Sequence, residues 1–190
     1  MKKARQIEIP SDRPLTFEEF EDYKNHAVNS SLWYASEYTR SEKQITEKLL
    51  NKGYIRDDVE YVDEEGETQF FNIIDHVIAH LKEGLVLDDE AYARSLINRY
   101  SMGRRGKSYI KTKLYEKGID SDLAERLMEE LRDEEQVLED IDALAERFMN
   151  GSSYRREENP YKRRQKLTSH LVSRGYGFDD IALWQSTREE

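Results

Sequence analysis

Cysteine is absent from the 190 residues. That excludes a disulfide framework, a thiol nucleophile and a thiolate zinc site. Proline stands only at Pro10, Pro14 and Pro160, so 145 consecutive residues carry none, which favours long helical stretches. No apolar run approaches the ~20 residues that a membrane-spanning helix needs. The basic start, MKKARQIEIPSDRP, lacks the apolar stretch of a secretory signal. A cytoplasmic protein with no membrane partner is expected. Hydrophobic residues make up only 37% and charged residues another 37%, which means much surface over little core. Twelve Tyr, six Phe and two Trp are still too many large rings for a disordered chain.

What is abundant is charge, and it is sorted. Thirty Lys and Arg against forty Asp and Glu give a net charge of −10. Between Arg94 and Lys117 there are eight basic residues and one acid, and between Arg155 and Arg174 seven basic residues and two acids. From Asp120 to Glu146 there are twelve acids and two basic residues, and from Asp57 to Glu67 seven acids. Local potential, not net charge, decides what docks where. The plainer alternative is that each block is a solvated helix face pairing with a neighbour.

The apolar spacing reads as helix almost throughout. Thr16 followed by Glu19 has capping-box spacing and opens a helix from Phe17 to about Tyr38. Val59, Tyr61, Phe70 and Phe71 flank the turn Asp63–Gly66 and predict a short hairpin. Ile73, Ile74, Val77, Ile78 and Leu81 form a helical stripe that stops at Gly84. Asp88 or Asp89 caps the next helix, and Ser101–Gly106 breaks it. Further stripes end at Gly118, near Leu131 and near Gly151; a polar linker then runs to Pro160. Phe178 and Leu183 have the spacing of a hydrophobic staple at the start of a last helix.

Three segments superimpose without a gap: Arg40 through Ile45, Leu49, Gly53 and Tyr54; Arg105 through Ile110, Leu114, Gly118 and Ile119; Lys162 through Leu167, Leu171, Gly175 and Tyr176. A basic residue precedes each glycine: Lys52, Lys117 and Arg174. One short helix with two apolar anchors cannot bury its own face, but stacked three-helix units can. The expected organisation is an arm (1–15), a first three-helix unit (16–84) with an acidic insertion at 55–71, a second unit (85–133) and a third (134–190). The insertion lies outside the repeat, so trimming 57–67 is expected to leave the units folded.

The stretch Gly84–Ala93, with Arg99, Gly103, Gly106 and Ile110–Ile119, resembles the core of the RecX family of bacterial RecA modulators. Tyr34–Tyr54 is similar to that family's N-terminal unit and Lys166–Ile181 to its C-terminal unit. The resemblance implies an all-α chain of three tandem three-helix repeats in an elongated, curved array, here with the hairpin near 59–71. It implies a non-enzymatic regulator in DNA repair, recombination and the SOS response. Its partners would be RecA and the RecA–DNA filament, whose ATPase, strand-exchange and co-protease activities it would inhibit. A monomer with weak direct DNA binding is expected. A stand-alone helical DNA-binding module is the alternative, and partner dependence separates the two.

Catalytic chemistry is sparse. His76 and His80 lie one helical turn apart, but Val77 stands where a zinc protease needs Glu, and no third ligand is evident. Gly103–Ser108 lacks the spacing of a phosphate-binding loop. No enzyme, cofactor or metal is expected. The basic residues remain as candidates for a partner or DNA surface: Arg99, Arg104, Arg105, Lys107, Lys111, Lys113 and Lys117 in the middle unit. Arg40, Lys43, Lys48 and Lys52 extend the row in the first unit, and Lys162, Arg163, Arg164, Lys166 and Arg174 in the third. Gly103 and Gly106 place no side chain in the way of a close partner. The competing reading is lysine stems covering the edge of a small core. Tyr100, Tyr109 and Tyr161 are expected to pack rather than stack on bases.

Overall fold

The computed structural model describes residues 9, 10 and 12–188, so most of the expected arm, residues 1–8 and 11, lies outside the described residues. The fold is helical with one small sheet, and it divides into two compact units, Met1–Tyr92 and Ala93–Glu190.

In the first unit, α1 (Phe17–Glu37) starts at the capping box: Thr16 Oγ1 accepts from the Glu19 N–H, and the Glu19 carboxylate accepts from the Thr16 N–H. It buries Phe20, Tyr23, Ala27, Ser31 and Ala35 at intervals of three and four residues. Helix α2 (Glu42–Asn51) adds Ile45 and Leu49, and α3 (Ile73–Glu83) adds Ile73, Ile74, Val77, Ile78 and Leu81. The three helices pack on one another in pairs.

Strands β1 (Val59–Val62) and β2 (Thr68–Phe71) form the antiparallel hairpin, with Val59 opposite Phe71. The expectation that this insertion is dispensable does not survive. Val59 is buried in the same core as the helices. The Tyr61 ring stacks on Phe20 at 3.7 Å, and Phe71 meets Phe20 edge-on at 5.1 Å. Leu15, at the end of the expected arm, is buried and bonded to β1 on both sides of its peptide. Its N–H donates to Glu60 O at 3.0 Å, and its carbonyl accepts from the Val62 N–H at 2.9 Å. Val59 and Tyr61, two apart on β1, give the helices a surface that the repeat pattern alone does not reveal.

Helix α3 also ends differently from its sequence. Gly84 keeps an ordinary φ of −76°, and Leu85 takes the left-handed turn at φ 54°. The Leu85 N–H reaches Lys82 O and the Val86 N–H reaches Leu81 O, the two bonds of a Schellman end. Asp88 caps the helix that follows, α4 (Asp89–Met102): its Oδ1 accepts from the Ala91 N–H at 2.9 Å. Asp89 instead accepts from the Glu42 N–H at the start of α2.

The second unit holds most of α4, then α5 (Lys107–Glu116), α6 (Ser121–Glu130), α7 (Glu134–Met149), a one-turn α8 (Ser152–Arg155), α9 (Pro160–Ser173) and α10 (Phe178–Ser186). The stretch expected as linker thus contains α8. Helix α5 packs on α6, while α7, α9 and α10 close around Ile141, Leu144, Leu167, Leu171, Ile181 and Trp184. Phe178 and Leu183 do not staple α10, since both are exposed. Gly177 is the cap residue, so the staple positions are Tyr176 and Ile181, which share the buried cluster.

The superimposed segments of the repeat end alike. Gly53, Gly118 and Gly175 have φ of 96°, 79° and 97°. Tyr54, Ile119 and Tyr176 each donate back to the residue five earlier: Leu49, Leu114 and Leu171. The preceding Lys52, Lys117 and Arg174 are the C-cap residues, where a cation meets the negative end of the helix dipole.

Candidate functional site

The sixteen basic candidates fall into two sets once their neighbours are known. In the second unit, the acidic block on α6 and α7 folds back on the basic block. Glu125 holds both Lys107, at 3.0 Å, and Lys111. The two ammonium groups hold the Glu125 carboxyl below the usual carboxylate range. Lys113 pairs with Glu116 one turn on, at 2.7 Å. Lys166 pairs with Glu157 at 2.8 Å, and Arg164 donates to Gln185 Oε1 at 2.8 Å. Arg163 donates to the Glu157 carbonyl and lies over the Tyr154 ring. For these residues the solvated, paired helix face describes what is seen.

Arg104 is held differently. It sits at the corner between α4 and α5 with φ 51°, a strained conformation for a residue with a Cβ. Its Nε lies 3.3 Å from Asp140 Oδ1 on α7. Burial pushes the Asp140 carboxyl up, and the Arg104 guanidinium opposes it. The glycine beside it is not open to a partner either. Gly106 is buried, and a Cβ there would lie 2.3–2.4 Å from backbone atoms of Gly175 and Tyr176. That correction moves Gly106 from the surface to the packing between α5 and the end of α9.

Arg99 is exposed, its guanidinium 5.4 Å from the Tyr100 ring centroid, and Arg105 lies over Tyr109 at 4.5 Å. Lys162 is exposed at the first turn of α9, and Arg174 is half-buried at its end. Lys117 is the C-cap of α5, and Lys43 is exposed on α2. Tyr100 and Tyr109 do pack, edge to face at 5.6 Å. Tyr161 does not: it is 76% exposed.

The first unit gathers Arg40 and Lys48 around the Tyr34 ring. The Arg40 guanidinium lies 4.3 Å from the Tyr34 centroid and 5.2 Å from Tyr38. Lys48 lies 5.0 Å from the same Tyr34 centroid. Lys52 donates to Ser30 Oγ. Tyr38, beside Arg40, is exposed, and so is Trp33. These aromatics escaped the sequence reading. The signal was there, in Trp33, Tyr34 and Tyr38 followed by Arg40 within eight residues.

Among the described residues no group of three or more His, Asp or Glu side chains could hold a metal ion. The His76 and His80 rings stand 6.3 Å apart, and His76 packs against Phe71. No described helix is long and apolar enough to cross a membrane.

Comparison with known proteins now fits this geometry. Residues 88–128 match the family model of the RecX second three-helix domain, and residues 134–183 that of the RecX third three-helix domain. The regulatory protein RecX of Clostridium botulinum is 32% identical over 142 residues, 75% of this chain and 58% of that protein. That of Staphylococcus epidermidis is 29% identical over 182 residues, 95% of this chain and 60% of that protein. The chain thus spans about three fifths of the length of these relatives. The crystal structure of RecX from Lactobacillus salivarius superimposes with a TM-score of 0.71 at 23% identity, covering 88% of this chain and 97% of that one. Its likeness concerns the fold. With two family domains in register on α4–α6 and α7–α10, the chain belongs to the RecX family.

Proposed function

We propose that this chain is a non-enzymatic, cytoplasmic regulator of the RecA recombinase. It binds the RecA–DNA filament as a monomer and inhibits its ATPase, strand-exchange and co-protease activities. The observation that supports this most is the pair of RecX domain matches, which lie over the helices that carry the basic blocks. The units doing this are 16–84, 85–133 and 134–190. Contact with the filament uses the basic row, and Arg99, Arg105, Lys162 and Arg174 lead because among the described residues no ion pair to a carboxylate ties them down. The remaining cations exchange an intramolecular carboxylate for a partner's, which costs little where the pair is exposed.

One titration tests the reading. Binding is measured against naked single-stranded DNA, RecA alone and the RecA–DNA–ATP filament. The expected result is far tighter binding to the filament, with a loss of ATP hydrolysis that tracks occupancy. Equal affinity for naked DNA and filament would reduce the chain to a stand-alone DNA-binding module.

A further inference from the structure

We infer that the cleft where α4, α5 and α6 meet α7 and α10 is a binding site for a small neutral molecule. The ligand is about the size of a single benzene ring and carries one hydroxyl or amide group, which Tyr176 recognises. The inference goes beyond the regulator reading, because it gives the chain a ligand of its own, independent of any macromolecular partner. The cleft lies within the compact unit Ala93–Glu190, between helices of the two matched family domains.

Size and one orphan hydroxyl carry the argument. The cleft holds about 150 Å³, the volume at which an apolar cavity takes up a molecule like benzene. Ile97 of α4, Ile110 of α5, Met128 and Leu131 at the end of α6, and Val137 of α7 supply an aliphatic wall. Water beside that wall meets carbon, so solvent alone is a poor filling. Tyr176 lines the same cleft. The residue is 3% exposed, and its hydroxyl is buried with no partner among the described residues. Buried hydroxyls are ordinarily hydrogen-bonded, so this one calls for a polar atom from outside the chain. Burial and the Asp140 charge push the phenol up, so it keeps its proton and can both donate and accept. Its backbone is fixed on both sides. The Tyr176 N–H donates to Leu171 O at 3.3 Å, and the Gly175 carbonyl before it accepts from the Ser108 N–H. The hydroxyl is therefore in place before a ligand arrives.

Charge makes the ligand neutral. The lining carries Arg105, Lys107 and Arg132 against Asp133, Asp140 and Asp180, three of each sign. Nearly all are engaged. Lys107 pairs with Glu125 at 3.0 Å, Arg132 with Asp180 at 3.0 Å and Asp140 with Arg104 at 3.3 Å. Asp133 caps α7 by accepting the Gln136 N–H, and Arg105 lies over the Tyr109 ring. A charged ligand would break one of these arrangements and leave another charge alone beside an apolar wall. A neutral ligand breaks none. One hydroxyl or amide both donates and accepts, as the Tyr176 O–H does, and the remaining ring faces the aliphatic wall.

The test uses the full chain and probes of one shape. Benzyl alcohol carries a ring and a hydroxyl, toluene the ring alone, and benzylammonium and benzoate a charge of either sign. Amide NMR titrations give both affinity and location. Benzyl alcohol should shift the amides of Ile97, Ile110 and Val137 and bind at least about fivefold more tightly than toluene, the worth of one hydrogen bond. Both ions should bind more weakly than the alcohol. Tyr176→Phe, which removes only the hydroxyl, should bind alcohol and toluene alike, and its melting temperature should not fall. Val137→Phe, which puts a ring into the cleft, should lose the alcohol and toluene together. No shift at the cleft with any probe up to its solubility would mean that the cleft holds water only and would overturn the site. Equal wild-type affinity for alcohol and toluene, or a preference that persists in Tyr176→Phe, would overturn it too. Tighter binding of either ion than of the alcohol would overturn the neutral class. A lower melting temperature for Tyr176→Phe would show that the hydroxyl is already satisfied, and the call for a ligand would go with it. The assay contains no recombinase, so its failure leaves the regulator reading to the filament titration.

Discussion

Gly106 and Gly175 meet backbone to backbone. The Gly106 N–H donates to Arg174 O at 3.0 Å, and the Ser108 N–H donates to Gly175 O at 3.0 Å. The amides at the start of α5 are thereby satisfied by carbonyls at the end of α9, positive helix end against negative. Neither α5 nor its cap residue offers a side chain for this purpose. Gly106→Ala should destabilise the second unit by about 1–3 kcal/mol or more, the usual range for overpacking. The added Cβ meets backbone that cannot swing away. The φ of Gly106 is ordinary, −76°, so the effect is steric alone. Gly66→Ala, in open space at φ 85°, is the control and should cost only the left-handed strain of about 1–2 kcal/mol. Thermal and denaturant unfolding of both variants measures the difference. Equal losses would show that the glycine contact is loose.

Leu85 makes the opposite case. It occupies a left-handed position where glycine is ordinarily found, and its side chain is 88% exposed. Leu85→Gly gives up no buried contact and relieves about 1–2 kcal/mol of strain, against about 0.5–1 kcal/mol of added backbone freedom in the unfolded chain. A gain of about 0.5–1 kcal/mol is expected in equilibrium unfolding. A loss would show that the leucine side chain makes contacts that its exposure conceals.

These glycines mark how far the sequence can be read. Gly53, Gly118 and Gly175 were legible as helix ends because a Schellman turn is local and a glycine four residues past a buried leucine announces it. Leu85 was not, because nothing about leucine advertises a positive φ. Gly106 was legible as a glycine but not as a contact, since its partner is far along the chain. The basic row has the same difficulty. The blocks of charge stood out, yet which cations are neutralised depends on pairs such as Arg104–Asp140, 36 residues apart. The hairpin was placed correctly, but its burial was missed, because Phe20 and Tyr61 come together only when α1 packs across β1.

Deleting residues 57–67 should therefore unfold the first unit rather than leave it intact. The deletion removes Val59, whose burial contributes about 1.5 kcal/mol or more. It also removes the Tyr61–Phe20 stack, worth about 0.5–1.5 kcal/mol beyond its area. Neutralising only the tip, with Glu64→Ser and Glu65→Ser, should be within about 0.5 kcal/mol of wild type, as both are exposed. Circular dichroism melts of the two variants decide it. An intact melt after the full deletion would restore the insertion to a dispensable loop.

Acid should loosen the second unit through His170. Its ring stacks on Phe148 at 4.4 Å and 15°, and burial, with the Arg174 charge behind it, holds its pKa below the usual value. The unfolded chain then takes up the proton more readily. The stability contributed is full above about pH 6.5 and is lost as pH falls through the lower folded value. His170→Phe keeps the stack and removes the proton. Melting temperatures taken from about pH 8 down to about 5.5 should fall more steeply for wild type than for the variant. Parallel curves would mean that the imidazole titrates equally in both states.

The last prediction concerns the partner surface, and the Arg104–Asp140 pair decides which residues can test it. Arg104→Ala would remove the partner of a carboxylate that is only 13% exposed. A stability loss of about 1 kcal/mol or more is expected, because a half-buried carboxylate loses its cation and keeps only the 3.4 Å hydrogen bond from Gln136. Binding data from that variant would mix folding with contact. Arg99 and Arg105 lie over rings and, among the described residues, hold no carboxylate, so Arg99→Ala/Arg105→Ala should stay within about 0.5 kcal/mol of wild type per site. If both arginines face phosphates in the RecA–DNA filament, the double variant should bind the filament more weakly, and its salt slope should drop by about two, one for each lost contact. Fluorescence anisotropy of labelled chain against filament, repeated at several salt concentrations, gives both quantities. An unchanged slope with weakened binding would place the arginines against protein carboxylates instead. No change in either would leave them as solvated side chains shielding Tyr100 and Tyr109.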